Sequence, residues 1–105
     1  MSEVEISVVA GLFQARSGKE AELAATLARY VVLTRSVTGV RNVDLVVSAS
    51  TSGRFLIVEK WDDADAQRSH LDSDAMVTMA TQSGPLLTQL PDLELYDVIS
   101  AHDLE

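Results

Sequence analysis

The sequence predicts an α+β domain with the ferredoxin-like order β-α-β-β-α-β, a four-stranded antiparallel sheet carrying both helical segments on one face. Three observations predict it. Apolar residues recur with a period of two in four separate stretches. Stretches with apolar residues three and four apart interrupt them in the required order. Turn chemistry at Gly39, at Ser50-Thr51-Ser52-Gly53 and at Pro91 punctuates the chain.

The first strand spans residues 4–14. Val4, Ile6, Val8, Ala10 and Leu12 line one face, and Glu5, Ser7, Val9, Gly11 and Phe13 the other. Ser17-Gly18-Lys19-Glu20 has the form of a capping box, in which the Ser17 hydroxyl accepts from the Glu20 amide and the Glu20 carboxylate reaches back. The helix that follows has an apolar face of Leu23, Leu27, Tyr30, Val31 and Thr34, and Gly39 ends the segment.

Residues 40–49 alternate again, with Val43, Leu45, Val47 and Ala49 opposing Asn42, Asp44, Val46 and Ser48. After the turn, residues 54–61 form a third strand, hairpin partner of the second. Asp62 is placed as N-cap of a short helix running to about Leu71, and Ser73 as the cap that restarts it. Met76, Met79, Ala80 and Ser83 then share a face. Gly84-Pro85 breaks the helix, and Pro85 opens a last turn holding Leu86, Leu87 and Leu90. In the fourth strand Leu93, Leu95 and Asp97 alternate with Glu94, Tyr96 and Val98, ending near Ser100. Residues 1–100 read as a single domain and 101–105, with His102, as a solvated tail.

Composition removes several function classes. A formal charge of −8 repels phosphate backbones and anionic lipids, so neither nucleic acid nor a membrane is an expected partner. The chain has no cysteine, which excludes disulfides and thiolate chemistry. The histidines, His70 and His102, form no ligand pair, so no metal site is expected. The start, Met1-Ser2-Glu3-Val4-Glu5, lacks the basic and apolar regions of a signal peptide, and a cytoplasmic location is expected.

Two helical segments cover one sheet face. The other should then be polar, yet the first and third strands are apolar on both sides. An apolar face of several hundred Å² on a small domain marks an interaction site. A second copy of the same face is the simplest cover, so a homodimer through the sheet faces is expected.

The residues that can carry chemistry cluster at the end of the third strand. Glu59 and Trp61 lie two apart on one strand face, and His70 follows on the next helix. A carboxylate, an indole and an imidazole around one pocket can bind a planar molecule and take a proton from it. Each also has a structural reading. Trp61 fits the core, His70 the surface or a cap, and Glu59 a pairing with Arg29, Arg35 or His70. His70 and Glu59 are the candidate catalytic pair; Trp61, Tyr30, Phe13, Met76 and Met79 are candidates for the substrate pocket. Tyr30 would need a partner for its hydroxyl if buried, and methionine suits an adaptable wall.

These residues carry a resemblance. Leu56-Ile-Val-Glu-Lys-Trp61-Asp-Asp with Ser69-His70-Leu71, Ser17-Gly18-Lys19-Glu20 and Leu93-Glu94-Leu95-Tyr96 are similar to the antibiotic biosynthesis monooxygenase (ABM) domain. The resemblance implies a dimeric α/β barrel of two sheets packed face to face, with a small-molecule pocket in each subunit. It also implies oxidation of a quinol or aromatic polyketide-like molecule by molecular oxygen, with no cofactor. Of the strand asparagine, helix tyrosine and tryptophan of the aromatic-oxidising members, only Trp61 is matched; Ile57 and Gln67 stand at the other two places. Met79 stands near the axial histidine of haem-degrading members. The alternatives are a small-molecule isomerase on the same scaffold and a non-catalytic dimeric binding protein.

Overall fold

The structure, a computed structural model, describes residues 6–100. The expectations for Val4 and Glu5, and for the tail with His102, lie outside the described residues. The elements are β1 (Ser7–Gln14), α1 (Glu20–Thr34), β2 (Val40–Val47), β3 (Arg54–Trp61), α2 (Ala64–His70), α3 (Asp74–Ser83), a 3₁₀ turn over Gly84–Leu86, and β4 (Asp92–Asp97). The four strands form one antiparallel sheet in the order β2-β3-β1-β4, the ferredoxin-like arrangement the periodicity predicts.

The pleat decides which side chains meet the helices. Phe13 of β1, Val43 of β2 and Phe55 and Ile57 of β3 point to the covered face. They pack with Leu23, Leu27, Tyr30 and Val31 of α1, Met79 of α3, and Leu86 and Leu87. Each such aliphatic or aromatic side chain contributes about 1.5–3 kcal/mol by leaving water. The apolar face predicted for α1 is buried at every position named for it, Thr34 included.

In β1 it is the mixed face, Ser7, Val9, Gly11 and Phe13, that turns to the helices. The more apolar face, Val8, Ala10 and Leu12, turns away with Leu56 and Val58 of β3 and is only half-buried. Val46 of β2 and Tyr96 of β4 extend this stripe, at 51% and 46% exposure.

Several local expectations are corrected. The capping box does not form: α1 begins at Glu20 behind Lys19, whose side chain makes no capping bond. Ser17 and Gly18 instead turn the chain, closed by Lys19 N–H to Arg16 O at 3.0 Å. Gly18 has φ +84, a conformation glycine adopts without penalty. Asp62 does not cap α2. Its carboxylate accepts from Arg41 Nε at 2.9 Å, and Asp63, one residue on, caps by accepting from Ala66 N–H at 2.8 Å. Ser73 does cap α3, accepting from Met76 N–H at 3.2 Å. Leu90 is not packed but 88% exposed, because the turn ends at Leu86 and the chain leaves the core after Leu87. Ala80 is also exposed. β2 ends at Val47, so Ala49 falls in the turn, and a bulge lies between Val40 and Asn42.

Candidate active site

Alternation in β3 sends Glu59 and Trp61 to the covered face, where they sit at register with Val9 and Ser7 of β1. Both are buried, Glu59 at 5% exposure and Trp61 at 0%. A carboxylate so placed must have donors close by, and three elements supply or organise them. Tyr30 and Thr34 stand one turn apart on α1 and so face the same way. His70 ends α2 and is folded back over them.

The Tyr30 hydroxyl donates to Glu59 Oε2. The Trp61 indole N–H donates to Glu59 Oε1 at 3.0 Å. His70 Nε2 lies 2.9 Å from the Tyr30 hydroxyl oxygen and 3.4 Å from Thr34 Oγ1. On the other side of the ring, His70 Nδ1 lies 3.3 Å from Ser73 Oγ. The imidazole rests on the indole, ring centroids 4.9 Å apart, and beside the Tyr30 ring at 5.6 Å. Among the described residues no buried side-chain polar atom lacks a hydrogen-bond partner.

Burial dominates the electrostatics. It pushes the Tyr30 phenol far above its ordinary value, and the charge of Glu59 and the hydrogen bond to it push the same way, while a hydrogen bond from Thr34 acts in the opposite direction. Burial lowers His70 below the ordinary histidine range, and the Glu59 charge opposes it. Tyr30 is therefore a neutral donor near pH 7, and His70 favours the neutral form.

Glu59, Tyr30 and His70 form the polar wall of a cavity that is otherwise largely apolar. Val9, Gly11, Phe13 and Ile57 make its floor, and Leu71, Met76, Met79 and Leu93 close it, with Gln67 beside them. About 20 Å³ is open to the centre of a water-sized sphere, room for about one water molecule. Phe13, Met76, Met79 and Leu93 also wall a groove between α3, the 3₁₀ turn and β4, which offers about 360 Å³ by the same measure. The small void and the roomy groove are thus separated by flexible side chains.

Of the residues singled out from the sequence, Glu59, His70, Tyr30, Phe13, Met76 and Met79 come together around this cavity. Trp61 does not line it; the indole lies behind, its N–H committed to Glu59. Arg29 and Arg35 do not meet Glu59: Arg29 bonds Gln82 Oε1 at 3.2 Å, and Arg35 bonds the Val43 carbonyl. Sequence reasoning missed Val9, Gly11, Ile57, Gln67, Leu71 and Leu93 as lining residues and Ser73 as a partner of His70. Gly11 did carry a signal, since a glycine inside a strand marks a close approach. Among the described residues no cluster of three His, Asp or Glu side chains could hold a metal ion, and no helix is long and apolar enough to cross a membrane.

Comparison with known proteins agrees with this architecture. The family model described as antibiotic biosynthesis monooxygenase matches residues 6–82. Among solved structures, Rv0793 from Mycobacterium tuberculosis superposes with a TM-score of 0.87 at 24% identity, covering 93% of this chain and 99% of its own. SO0527 from Shewanella oneidensis is 31% identical, with a TM-score of 0.80 and coverage of 92% and 93%. PA3566 from Pseudomonas aeruginosa gives 0.82 at 19% identity, covering 95% and 99%. None of the curated proteins compared with the chain matches it.

Proposed function

The chain belongs to the antibiotic biosynthesis monooxygenase family, and we propose that it oxidises an electron-rich hydroxylated aromatic, a quinol or an anthrone-like polyketide, with molecular oxygen and no cofactor. The observation that carries this reading is a buried carboxylate, Glu59, held by two donors at the wall of an apolar cavity. Such a group can take a proton from a phenolic O–H or an activated C–H, leaving an anion that water cannot stabilise. An electron-rich carbanion can then react with oxygen directly. For a methylene substrate the balance is R₂CH₂ + O₂ giving R₂C=O + H₂O, both oxidising equivalents coming from oxygen and all the electrons from the substrate. Tyr30, held neutral, orients Glu59, and His70 orients Tyr30.

A planar ligand exceeds a void of about 20 Å³. It would seat from the neighbouring groove by displacing Met76 and Met79, whose unbranched side chains re-pack at low cost. Oxygen consumption with a panel of anthrones and hydroquinones tests the reading. It predicts turnover that falls in His70→Ala and Glu59→Gln. Consumption at the uncatalysed rate with every compound, or unchanged turnover in His70→Ala, would overturn it.

A second reading, a non-catalytic binding protein, draws support from the same small void. Saturable binding of the aromatic without oxygen consumption would favour it. An isomerase of phosphorylated substrates has less support, because no Arg or Lys is among the residues lining the cavity.

The proposal includes a homodimer through the uncovered sheet face. Val8, Ala10, Leu12, Val46, Leu56 and Val58 form a continuous apolar stripe across three strands. A two-fold axis would bury it against its own copy.

A further inference from the structure

We infer that Ser73, the N-cap of α3, is a positioning residue that fixes which nitrogen of His70 carries the proton. The inference rests on a count of protons, not on the reaction, and holds whichever function the site performs. The Tyr30 hydroxyl has a single hydrogen, and it is given to Glu59, an acceptor. The 2.9 Å contact between Tyr30 Oη and His70 Nε2 is then a hydrogen bond only if Nε2 carries the proton. Thr34 Oγ1, at 3.4 Å from the same nitrogen, is a compatible second acceptor.

With Nε2 protonated and the ring neutral, Nδ1 is a bare lone pair that requires a donor. Ser73 Oγ stands 3.3 Å away. That oxygen already accepts the Met76 N–H at 3.2 Å, which leaves its own hydrogen free to be given to Nδ1. The backbone of α3 thus sets the direction of the serine hydroxyl, and the serine sets the tautomer. The result is a one-way array: Ser73 donates to His70, His70 to Tyr30, and Tyr30 to Glu59. It runs from a partly exposed cap to a buried carboxylate at the cavity wall. In this array every donor points toward the carboxylate, so Glu59 ends the chain as its acceptor.

The test is the ring ¹⁵N spectrum of His70 in the full chain, made unambiguous by His102→Gln, which leaves His70 as the single histidine. Near neutral pH the wild-type residue should give an unprotonated Nδ1 and a protonated Nε2. A protonated Nδ1 there overturns the inference without need of any variant. Ser73→Thr keeps both the cap and the hydroxyl donor, and should leave the spectrum unchanged. Ser73→Asp keeps a good N-cap but offers only an acceptor, so Nδ1 should become protonated. A role limited to capping α3 predicts the same spectrum for Ser73→Asp and Ser73→Thr, and that outcome also overturns it.

Discussion

Gly11 and Leu93 face each other across the β1–β4 pair, and a methyl group added to Gly11 would come within 2.8 Å of Leu93 Cδ2 and 3.1 Å of the Phe13 ring. Both neighbours wall the cavity, so the missing side chain of Gly11 is part of the space beside Glu59. Leu93 is 51% exposed and can swing aside. Gly11→Ala should therefore change stability by no more than about 1 kcal/mol, since the gain in strand propensity offsets the crowding. Turnover or ligand binding should fall at least tenfold, because the methyl and the displaced Phe13 ring occupy the void. A thermal melt read beside the activity assay checks both halves.

Glu59→Gln probes the carboxylate that Tyr30 and Trp61 share. Tyr30 and Trp61 bond different carboxylate oxygens, and the amide replaces one of these by an NH₂ donor that faces a donor. One buried donor is left unpaired, and the fold should lose about 1–3 kcal/mol, seen as an earlier denaturation midpoint. His70 should titrate at still lower pH in this variant. The Glu59 charge is what opposes the effect of burial, and it is gone. An NMR titration that moved His70 upward would contradict the assigned electrostatics.

The buried pair also predicts how stability depends on pH. His70 is lowered in the folded protein from its ordinary 6.5, so below that pH the unfolded chain binds the proton more readily. The contribution is fully present above about pH 6.5 and is lost as pH falls toward the folded value, with a slope of at most about 1.4 kcal/mol per pH unit. Tyr30 acts at the other end. Its folded value lies far above the ordinary 10.0, so above that pH the unfolded chain loses the proton first and stability falls as pH rises. Chemical denaturation across this range should show both limbs. His70→Gln should flatten the acid limb, and Tyr30→Phe should remove the part of the alkaline limb that Tyr30 carries.

How much of this was legible in the sequence follows from which forces are local. Strand β3 occupies residues 54–61 as read from the sequence, because glycine and serine bound it on one side and three aspartates follow closely on the other. The apolar face of α1 follows from spacing alone. The caps were harder to read. Asp62 and Asp63 are equally good capping residues, and Arg41, twenty-one positions back, decides between them. Ser17 lost its role to a glycine turn that spacing cannot reveal. At the site, parity placed Glu59 with Trp61, but Ser73 was visible only as a cap. Its second bond requires knowing that α2 folds His70 back across α1. Gly11 and Leu93 meet through a register between strands 82 residues apart, which no local pattern encodes.

Val58 lies in the middle of the uncovered sheet face, at register with Ala10 on one side and Asp44 on the other. It is half-buried and points away from the core, so replacing it tests association with little damage to the monomer. The wild-type chain should sediment at micromolar concentration with twice the 11.3 kDa of a single chain. In Val58→Asp, a two-fold contact would carry each new carboxylate, with Asp44 already beside it, into a largely apolar interface, a cost of several kcal/mol. The variant should sediment at 11.3 kDa and keep its far-ultraviolet circular dichroism. Activity should then report on whether the sheet-to-sheet contact supports the pocket: Gly11 and Glu59 lie on the opposite face of the same strands, so loosening the sheet would reach them through β1 and β3. A wild-type chain found at 11.3 kDa under these conditions would remove the homodimer from the proposal and leave the pocket chemistry to be judged on a single subunit.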